Sequence, residues 1–345
     1  MSNLTSVDRA GYPLPDPLVS KAAISRLVSH DLDLVEEMFR LNLASPLDIV
    51  EEIGTFVADG GGKRIRPMLH LLCAKLCRYE GPHQVLMATV LEFIHSATLI
   101  HDDIIDEATT RRGHVSVNHR WGNDVTVLFG DYLFAKAMEM ALQADSIAIM
   151  HKLADVTLRM TEGEMLQTRY VGRLDLTVEE YLDLVQRKTA GLFACCCDLA
   201  AILAEIDEER RMALRSFGTN LGMAFQLVDD VLDFTGKSET LGKPAASDLR
   251  EGKATLAVIE LLNSGSRQAA KGRDLARRIM ESGSADSPEI DALNDLLEDS
   301  GALARARGTA ERYAHDAGAE LARFDDSPVR QALSSLPELV LVRDR

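Results

Sequence analysis

Two clusters of acids share one form in this chain: Asp102-Asp103-Ile104-Ile105-Asp106 and Asp229-Asp230-Val231-Leu232-Asp233. Each sets carboxylates at positions i, i+1 and i+4, and on a helix i and i+4 lie on one face. Each also follows an apolar stretch, Leu-Ile-His before the first and Phe-Gln-Leu-Val before the second. Like charges one turn apart in such surroundings are costly unless cations join them. Hard oxygen ligands, few in number and leaving room for water and phosphate, suit magnesium better than a transition metal. The two clusters therefore read as a magnesium-loaded site for a polyphosphate. A single cluster would more often be a solvated helix end.

An anionic ligand needs positive charge nearby, and the balance of the whole chain opposes it. The 345 residues carry a formal net charge of −16, which also speaks against a nucleic-acid partner. The cations that could reverse the local field are grouped beside the acids. Gly61-Gly62-Lys63-Arg64-Ile65-Arg66-Pro67 is a glycine turn leading into a helix. Arg111-Arg112-Gly113 follows the first cluster, and Lys243 and Lys253 flank the loop after the second. Arginine forks suit diphosphate oxygens, and lysines add mobile charge. Taken singly, each is more often a surface charge; placement beside the acids favours the functional reading.

The elements that must position these groups are helices. Hydrophobic residues make up 46% of the chain, enough for a sizeable core. Val85 to Ile105 and Gly130 to Ala144 are apolar on almost all sides, the pattern of helices buried inside a bundle. Ser45-Pro46-Leu47-Asp48 predicts an N-cap with proline at the first helical position. Thr177-Val178-Glu179-Glu180 fits a capping box, and Ser287-Pro288-Glu289 opens another helix. Convincing alternating strands are absent, so the fold class is all-α. Loops are predicted at residues 60–62, 111–122, 172–176, 236–252 and 263–272. None resembles an interdomain linker, so residues 31–345 read as one domain. Residues 1–30, with Pro13, Pro15 and Pro17, read as a partly flexible lead-in. No apolar run matches a membrane span and no secretory signal is seen, which makes a cytoplasmic protein the default. The five cysteines are odd in number and lack a CxxC pair, so Cys73, Cys77 and Cys195 to Cys197 read as buried apolar residues.

The ordered motifs resemble those of the trans-isoprenyl diphosphate synthases, in particular the long-chain polyprenyl group of octaprenyl and decaprenyl type. They include Gly-Gly-Lys-Arg-Ile-Arg-Pro at 61–67, Glu-Phe-Ile-His-Ser-Ala-Thr-Leu-Ile-His-Asp-Asp-Ile-Ile-Asp-Glu at 92–107 and Arg-Arg-Gly at 111–113. Gly-Asp-Tyr-Leu-Phe at 130–134, Glu-Gly-Glu-Met-Leu-Gln at 162–167 and Lys-Thr-Ala at 188–190 follow. Phe-Gln-Leu-Val-Asp-Asp at 225–230 and Asp-Leu-Arg-Glu-Gly-Lys-Ala-Thr-Leu at 248–256 complete the set. The likeness runs from about residue 30 to the C-terminus. It implies the isoprenoid synthase fold, a bundle of antiparallel helices around a deep central cavity, and a homodimer. It also implies magnesium on Asp102, Asp106 and Asp229, with Asp103, Asp230 and Asp233 as further ligands or their partners. Isopentenyl diphosphate would be bound by Lys63, Arg66, His95 and Arg112. The allylic diphosphate would be gripped by Arg111, Lys188, Lys243 and Lys253, with Thr189 and Gln226 near the developing cation. His101 is expected beside the metal ligands.

Product length is expected to be set one and two turns before Asp102, at Thr98, Ala97 and Ile94. A helical turn rises about 5.4 Å, close to one isoprene unit. Short-chain members of the family carry aromatic residues at the positions of Ala97 or Thr98. Small residues there imply a deeper tunnel, with Phe129, Phe134 and Met138 as a later floor. The expected product is octaprenyl to decaprenyl diphosphate, a precursor of a quinone side chain such as that of ubiquinone, released with transient membrane contact. Ala246 stands where the family usually has glycine, and Ala257 where a proline often follows Thr-Leu. The alternatives are a geranylgeranyl diphosphate synthase or a non-catalytic partner subunit. A terpene cyclase is disfavoured by the second aspartate cluster and the Lys-Arg-Ile-Arg turn.

Overall fold

Apolar periodicity becomes helix almost everywhere in the computed structural model, which describes residues 20–111, 113–236, 245–283 and 288–342. In chain order the helices are α1 (Lys21–Arg26), α2 (Ser29–Leu43), α3 (Asp48–Asp59), α4 (Ile65–Leu76) and α5 (Gln84–Ile105). A two-residue antiparallel ribbon, β1 (Thr110–Arg111) with β2 (His114–Val115), leads to α6 (Val117–Trp121), α7 (Asn123–Ala141) and α8 (Ile147–Tyr170). Then come α9 (Val178–Val185), a π turn over Gln186–Ala190, α10 (Gly191–Leu203) and α11 (Glu208–Thr235). The last are α12 (Ser247–Arg250), α13 (Leu256–Leu262), α14 (Arg267–Ser282), α15 (Pro288–Asp299), α16 (Ala302–Glu320) and α17 (Pro328–Leu341).

Several predicted boundaries move, each for a local reason. Thr177 caps α9 as expected: its side chain accepts the Glu180 N–H at 3.1 Å, and the Glu180 carboxylate accepts the Thr177 N–H at 2.8 Å. Ser45 does not cap. Its hydroxyl takes the Leu47 N–H at 3.2 Å in a turn, and α3 starts at Asp48. The loop predicted over 263–272 ends early because Ser266 caps α14, accepting the Ala269 N–H at 3.1 Å. Gly272 lies inside that helix, where a Cβ would stand 2.7 Å from Leu261 Cδ2. The loop over 111–122 holds the ribbon and α6, and α12 falls within 236–252. Helix begins at Lys21, inside the stretch read as a lead-in, and Ile24 is buried. Ser287 lies outside the described residues.

The chain divides into two compact units, one of residues 24–158 and 192–215, the other of 1–23, 159–191 and 216–345. In the first, α5 is the central element, contacted by α2, α4 and α7. Its residues from Val85 to Ile94 are all buried, as an all-round apolar helix requires. Phe39 and Phe93 meet there with ring centroids 4.6 Å apart. In the second unit α13 plays the same part, with every residue but Glu260 buried, and α14 and α16 cover it. All five cysteines are free thiols, and only Cys77 is even partly exposed. Among the described residues no helix is long and apolar enough to cross a membrane.

His70, fully buried in the first unit, hydrogen-bonds the Cys196 carbonyl through Nδ1 at 2.9 Å. Burial pushes its pKa down from 6.5 to about 4, only partly opposed by that carbonyl. Between those values the unfolded chain binds a proton that the folded chain does not, so His70's contribution to stability falls as pH drops through the window. A His70→Asn variant, whose amide keeps the hydrogen bond, should lose less unfolding free energy than the parent between pH 6.5 and pH 4. Urea denaturation at each pH measures this.

Candidate active site

Asp102 lies in the last turn of α5, and Asp106 caps the helix with its N–H on the Asp102 carbonyl at 2.8 Å. The acids therefore stand at the helix end that already carries the negative half of the backbone dipole. Asp102 and Asp106 are half-buried, whereas Asp103 is buried and accepts Arg111 Nε at 2.5 Å. Burial pushes the Asp103 carboxyl above its ordinary value; Arg111 pulls it back and Asp106 adds to the rise. The ribbon thus has a purpose, since β1 delivers Arg111 to the first cluster. On α7, Gly130 makes room for His101: a Cβ there would fall 2.3 Å from His101 Nε2. That ring nitrogen lies 3.2 Å from the Val127 carbonyl and 3.5 Å from the Asp131 carboxylate.

The cations of the glycine turn take separate paths. Arg66 Nη1 lies 3.0 Å from His95 Nε2, and its guanidinium sits 4.9 Å from the centroid of the Phe193 ring. Lys63 is exposed. Arg64 turns inward with φ of 47°, donating to both oxygens of Glu36 and, at 2.5 Å, to Glu92. Burial works against its charge, but those two carboxylates outweigh it and raise the pKa. A cavity of about 240 Å³ has Arg64, Glu92, Ser96, Ile100, Asp103 and Arg111 in its wall. Of the length-determining candidates, Ile94, Ala97 and Phe129 are buried. Thr98, Phe134 and Met138 are half-buried, and the Thr98 hydroxyl donates to the His95 carbonyl at 2.8 Å.

The second cluster lies near the carboxyl end of α11, and its Asp230 lines a cavity of about 190 Å³ together with Tyr181, Lys188, Thr189, Gln226 and Lys253. Asp229 is half-buried, Asp230 and Asp233 buried. Asp230 accepts the Tyr181 hydroxyl on one oxygen and Gln226 Nε2 on the other, the latter at 2.9 Å. Burial, with the charges of Asp248 and Asp229, pushes its pKa up to about 8 against those two donors. Asp233 holds the next turn: Oδ2 accepts the Asp248 N–H at 3.1 Å and its carbonyl the Ala246 N–H at 2.8 Å. Ala246 has φ of 54°, which explains the glycine expected there, since a Cβ in the left-handed region costs about 1–2 kcal/mol. Arg112 and Lys243 lie outside the described residues.

Sequence reasoning assigned no role to the side chains that hold Lys188. Glu164 Oε2 lies 2.5 Å from Lys188 Nζ, and Glu162 accepts Arg187 Nη1 at 2.7 Å. Between them Gly163 lets α8 approach the π turn, where a Cβ would be 2.9 Å from the Lys188 backbone nitrogen. The signal was present as two acids flanking a glycine, and Tyr181 was equally visible two helical turns before Lys188. Gly163→Ala should therefore destabilise the fold by about 1–3 kcal/mol, as overpacking does, although alanine is the better helix former. Thermal unfolding of the variant beside the parent tests it.

The donor set suits a hard divalent cation, because every candidate ligand is a carboxylate oxygen. Among the described residues no three His, Cys, Asp or Glu side chains gather closely enough to cage an ion by themselves.

Comparison with known proteins gives one answer throughout. Octaprenyl diphosphate synthase of Escherichia coli is 36% identical over 325 residues, 93% of this chain and 98% of that protein. A polyprenyl synthase of Caulobacter crescentus, solved with calcium and isoprenyl diphosphate, superposes with a TM-score of 0.88 at 36% identity. That match covers 96% of this chain and all of the other. A decaprenyl diphosphate synthase of Rhodobacter capsulatus gives a TM-score of 0.87 at 35% identity, covering 94% and 99% of the two chains. The Polyprenyl synthetase family model matches residues 48–297, and with both aspartate clusters and their cations inside that span, this chain belongs to the polyprenyl synthetase family.

Proposed function

We propose that the chain is an all-trans polyprenyl diphosphate synthase that adds isopentenyl diphosphate head to tail onto an allylic primer such as farnesyl diphosphate. The observation that carries the reading is a single cavity walled by Lys188, Lys253, Asp230, Gln226 and Thr189, which offers cations, a carboxylate and two neutral polar groups together. Family membership supports it independently. Long-chain relatives, octaprenyl and decaprenyl synthases among them, favour a product in that range.

Asp102, Asp106 and Asp229 would be the main magnesium ligands. Asp103, Asp230 and Asp233, buried and hydrogen-bonded within the protein, would support them. Bound magnesium would supply Lewis acidity to the diphosphate oxygens. Lys188, Lys253, Arg111 and Lys243 hold the allylic diphosphate and stabilise the charge that grows on it as its carbon–oxygen bond breaks. Thr189 and Gln226 lie against the allylic cation so formed. Lys63, Arg66, His95 and Arg112 hold isopentenyl diphosphate, whose double bond attacks that cation. The released diphosphate then takes the proton, so no side chain has to be a strong base. Apolar walls keep water from quenching the cation. Residues 31–345 serve as one polyprenyl synthase domain, in a cytoplasmic homodimer whose product feeds quinone side-chain synthesis after transient membrane contact.

The test is product length. Purified protein with farnesyl diphosphate, excess isopentenyl diphosphate and magnesium should yield octaprenyl to decaprenyl diphosphate by mass spectrometry. Products that stop at geranylgeranyl would remove the length assignment and keep the chemistry; no elongation with any primer would favour a non-catalytic partner subunit. Chelation by EDTA should abolish elongation, and added magnesium should restore it. Thr98→Phe, at a half-buried position, should shorten the product by one or more isoprene units, since a turn and a unit are each about 5 Å.

A further inference from the structure

The Tyr181 hydroxyl has no part in the roles above, yet it begins a continuous chain of hydrogen bonds that ends on Thr189. Tyr181, 3% exposed, donates to Asp230 Oδ2. The other oxygen, Oδ1, accepts Gln226 Nε2 at 2.9 Å. Gln226 Oε1 in turn accepts the Thr189 hydroxyl at 3.0 Å. All four side chains border one cavity. Both ends of the chain are fixed to backbone: Tyr181 follows the capping box of α9, and Thr189 sits on the π turn, the kind of helix irregularity common at functional sites.

The donors and acceptors run in one direction. Asp230 Oδ1 takes the Gln226 amide nitrogen and the Gln226 amide oxygen takes the Thr189 hydroxyl, so Gln226 turns its NH2 group to Asp230 and its carbonyl to Thr189. The single Thr189 proton is then committed to Gln226, and oxygen lone pairs are what that hydroxyl retains for other partners. Lone pairs are what a developing cation attracts. With Gln226 reversed, Thr189 would accept from the amide and carry its proton toward the cavity, the wrong polarity for a cation. Gln226 binds one carboxylate oxygen, and Tyr181 anchors the opposite one, so Tyr181 keeps the carboxylate from rotating out of register.

We infer that Tyr181 is a positioning residue for prenyl transfer: through Asp230 and Gln226 it fixes the polarity of the Thr189 hydroxyl toward the developing allylic cation. The inference rests on the reaction proposed above. Its effect lies in the transition state, so it acts on kcat and leaves ground-state binding of the two diphosphates unchanged.

Tyr181→Phe removes one oxygen and keeps the ring, with circular dichroism and thermal unfolding as the check on folding. With farnesyl diphosphate, isopentenyl diphosphate and magnesium, kcat should fall roughly 10- to 100-fold, the cost of a small misplacement at a reacting centre. The KM for isopentenyl diphosphate should stay within about 3-fold, as should the calorimetric Kd for farnesyl thiolodiphosphate, an unreactive analogue, in the presence of magnesium. Thr189→Val should give a similar loss of kcat, and Tyr181→Phe/Thr189→Val should lie within about 3-fold of the slower single variant, because groups in one network are not additive. Losses that multiply in the double variant, binding that weakens in step with kcat, or an unchanged kcat in Tyr181→Phe would each overturn the inference while leaving the reaction intact. A parent protein that elongates no primer would bring down the reaction and this inference together.

Discussion

The constraint on which the rest of the structure depends is the placing of carboxylates where they are hardest to keep. Both aspartate clusters lie near the carboxyl ends of helices, where backbone carbonyls already contribute negative potential, and each contains buried members. Such charges demand compensation. The protein provides it with local donors: Arg111 for Asp103, Tyr181 and Gln226 for Asp230, the Asp248 amide for Asp233. Asp102, Asp106 and Asp229 are half-buried, and the proposed function makes them the main ligands of the divalent cation.

The supporting frame follows from that demand. Two long helices, α5 and α11, carry the acids, and small residues on their neighbours set the approach distances. Gly130 admits the His101 ring next to Asp102, and Gly163 admits the π turn that carries Lys188 and Thr189. Each glycine forgoes helix propensity of about 1 kcal/mol in exchange for a contact that no side chain permits. Glu162 and Glu164 then secure the turn from either side.

Much of this was legible in the sequence because it is written in spacing. The i, i+4 carboxylates, the all-round apolar stretch that became α5 and the Thr177 capping box are local patterns, and local patterns survive folding. The all-α class followed from the same periodicities. Other features were hidden because they depend on partners far along the chain. Arg64 looks like one of three equivalent cations, yet Glu36 and Glu92 draw it inward, and nothing at positions 63–66 announces that. Tyr181 reads as an apolar helix residue until Asp230 is seen beside it. Ser45 failed as a cap because its hydroxyl was taken by a nearer amide. The Ala246 departure is intermediate: the motif showed glycine to be usual, and the left-handed φ supplies the reason.

If the proposed function holds, the ion pairs of Lys188, Lys253 and Arg111 have a consequence for which anions can enter. Lys188 rests on Glu164, Lys253 on Glu251 and Arg111 on Asp103, at 2.5, 2.8 and 2.5 Å. Each positive charge is thus largely matched before any ligand arrives, in a chain whose net charge is −16. A bare anion approaching such a surface finds little attraction, whatever its shape. Under the proposed function, an allylic diphosphate that arrives already carrying divalent ions offers positive charge to carboxylates as well as negative charge to the lysines. For the allylic diphosphate, chelating power becomes the entrance criterion. Abundant monoanions that bind magnesium weakly are turned away without any dedicated filter, and cation and diphosphate are expected to load as one unit.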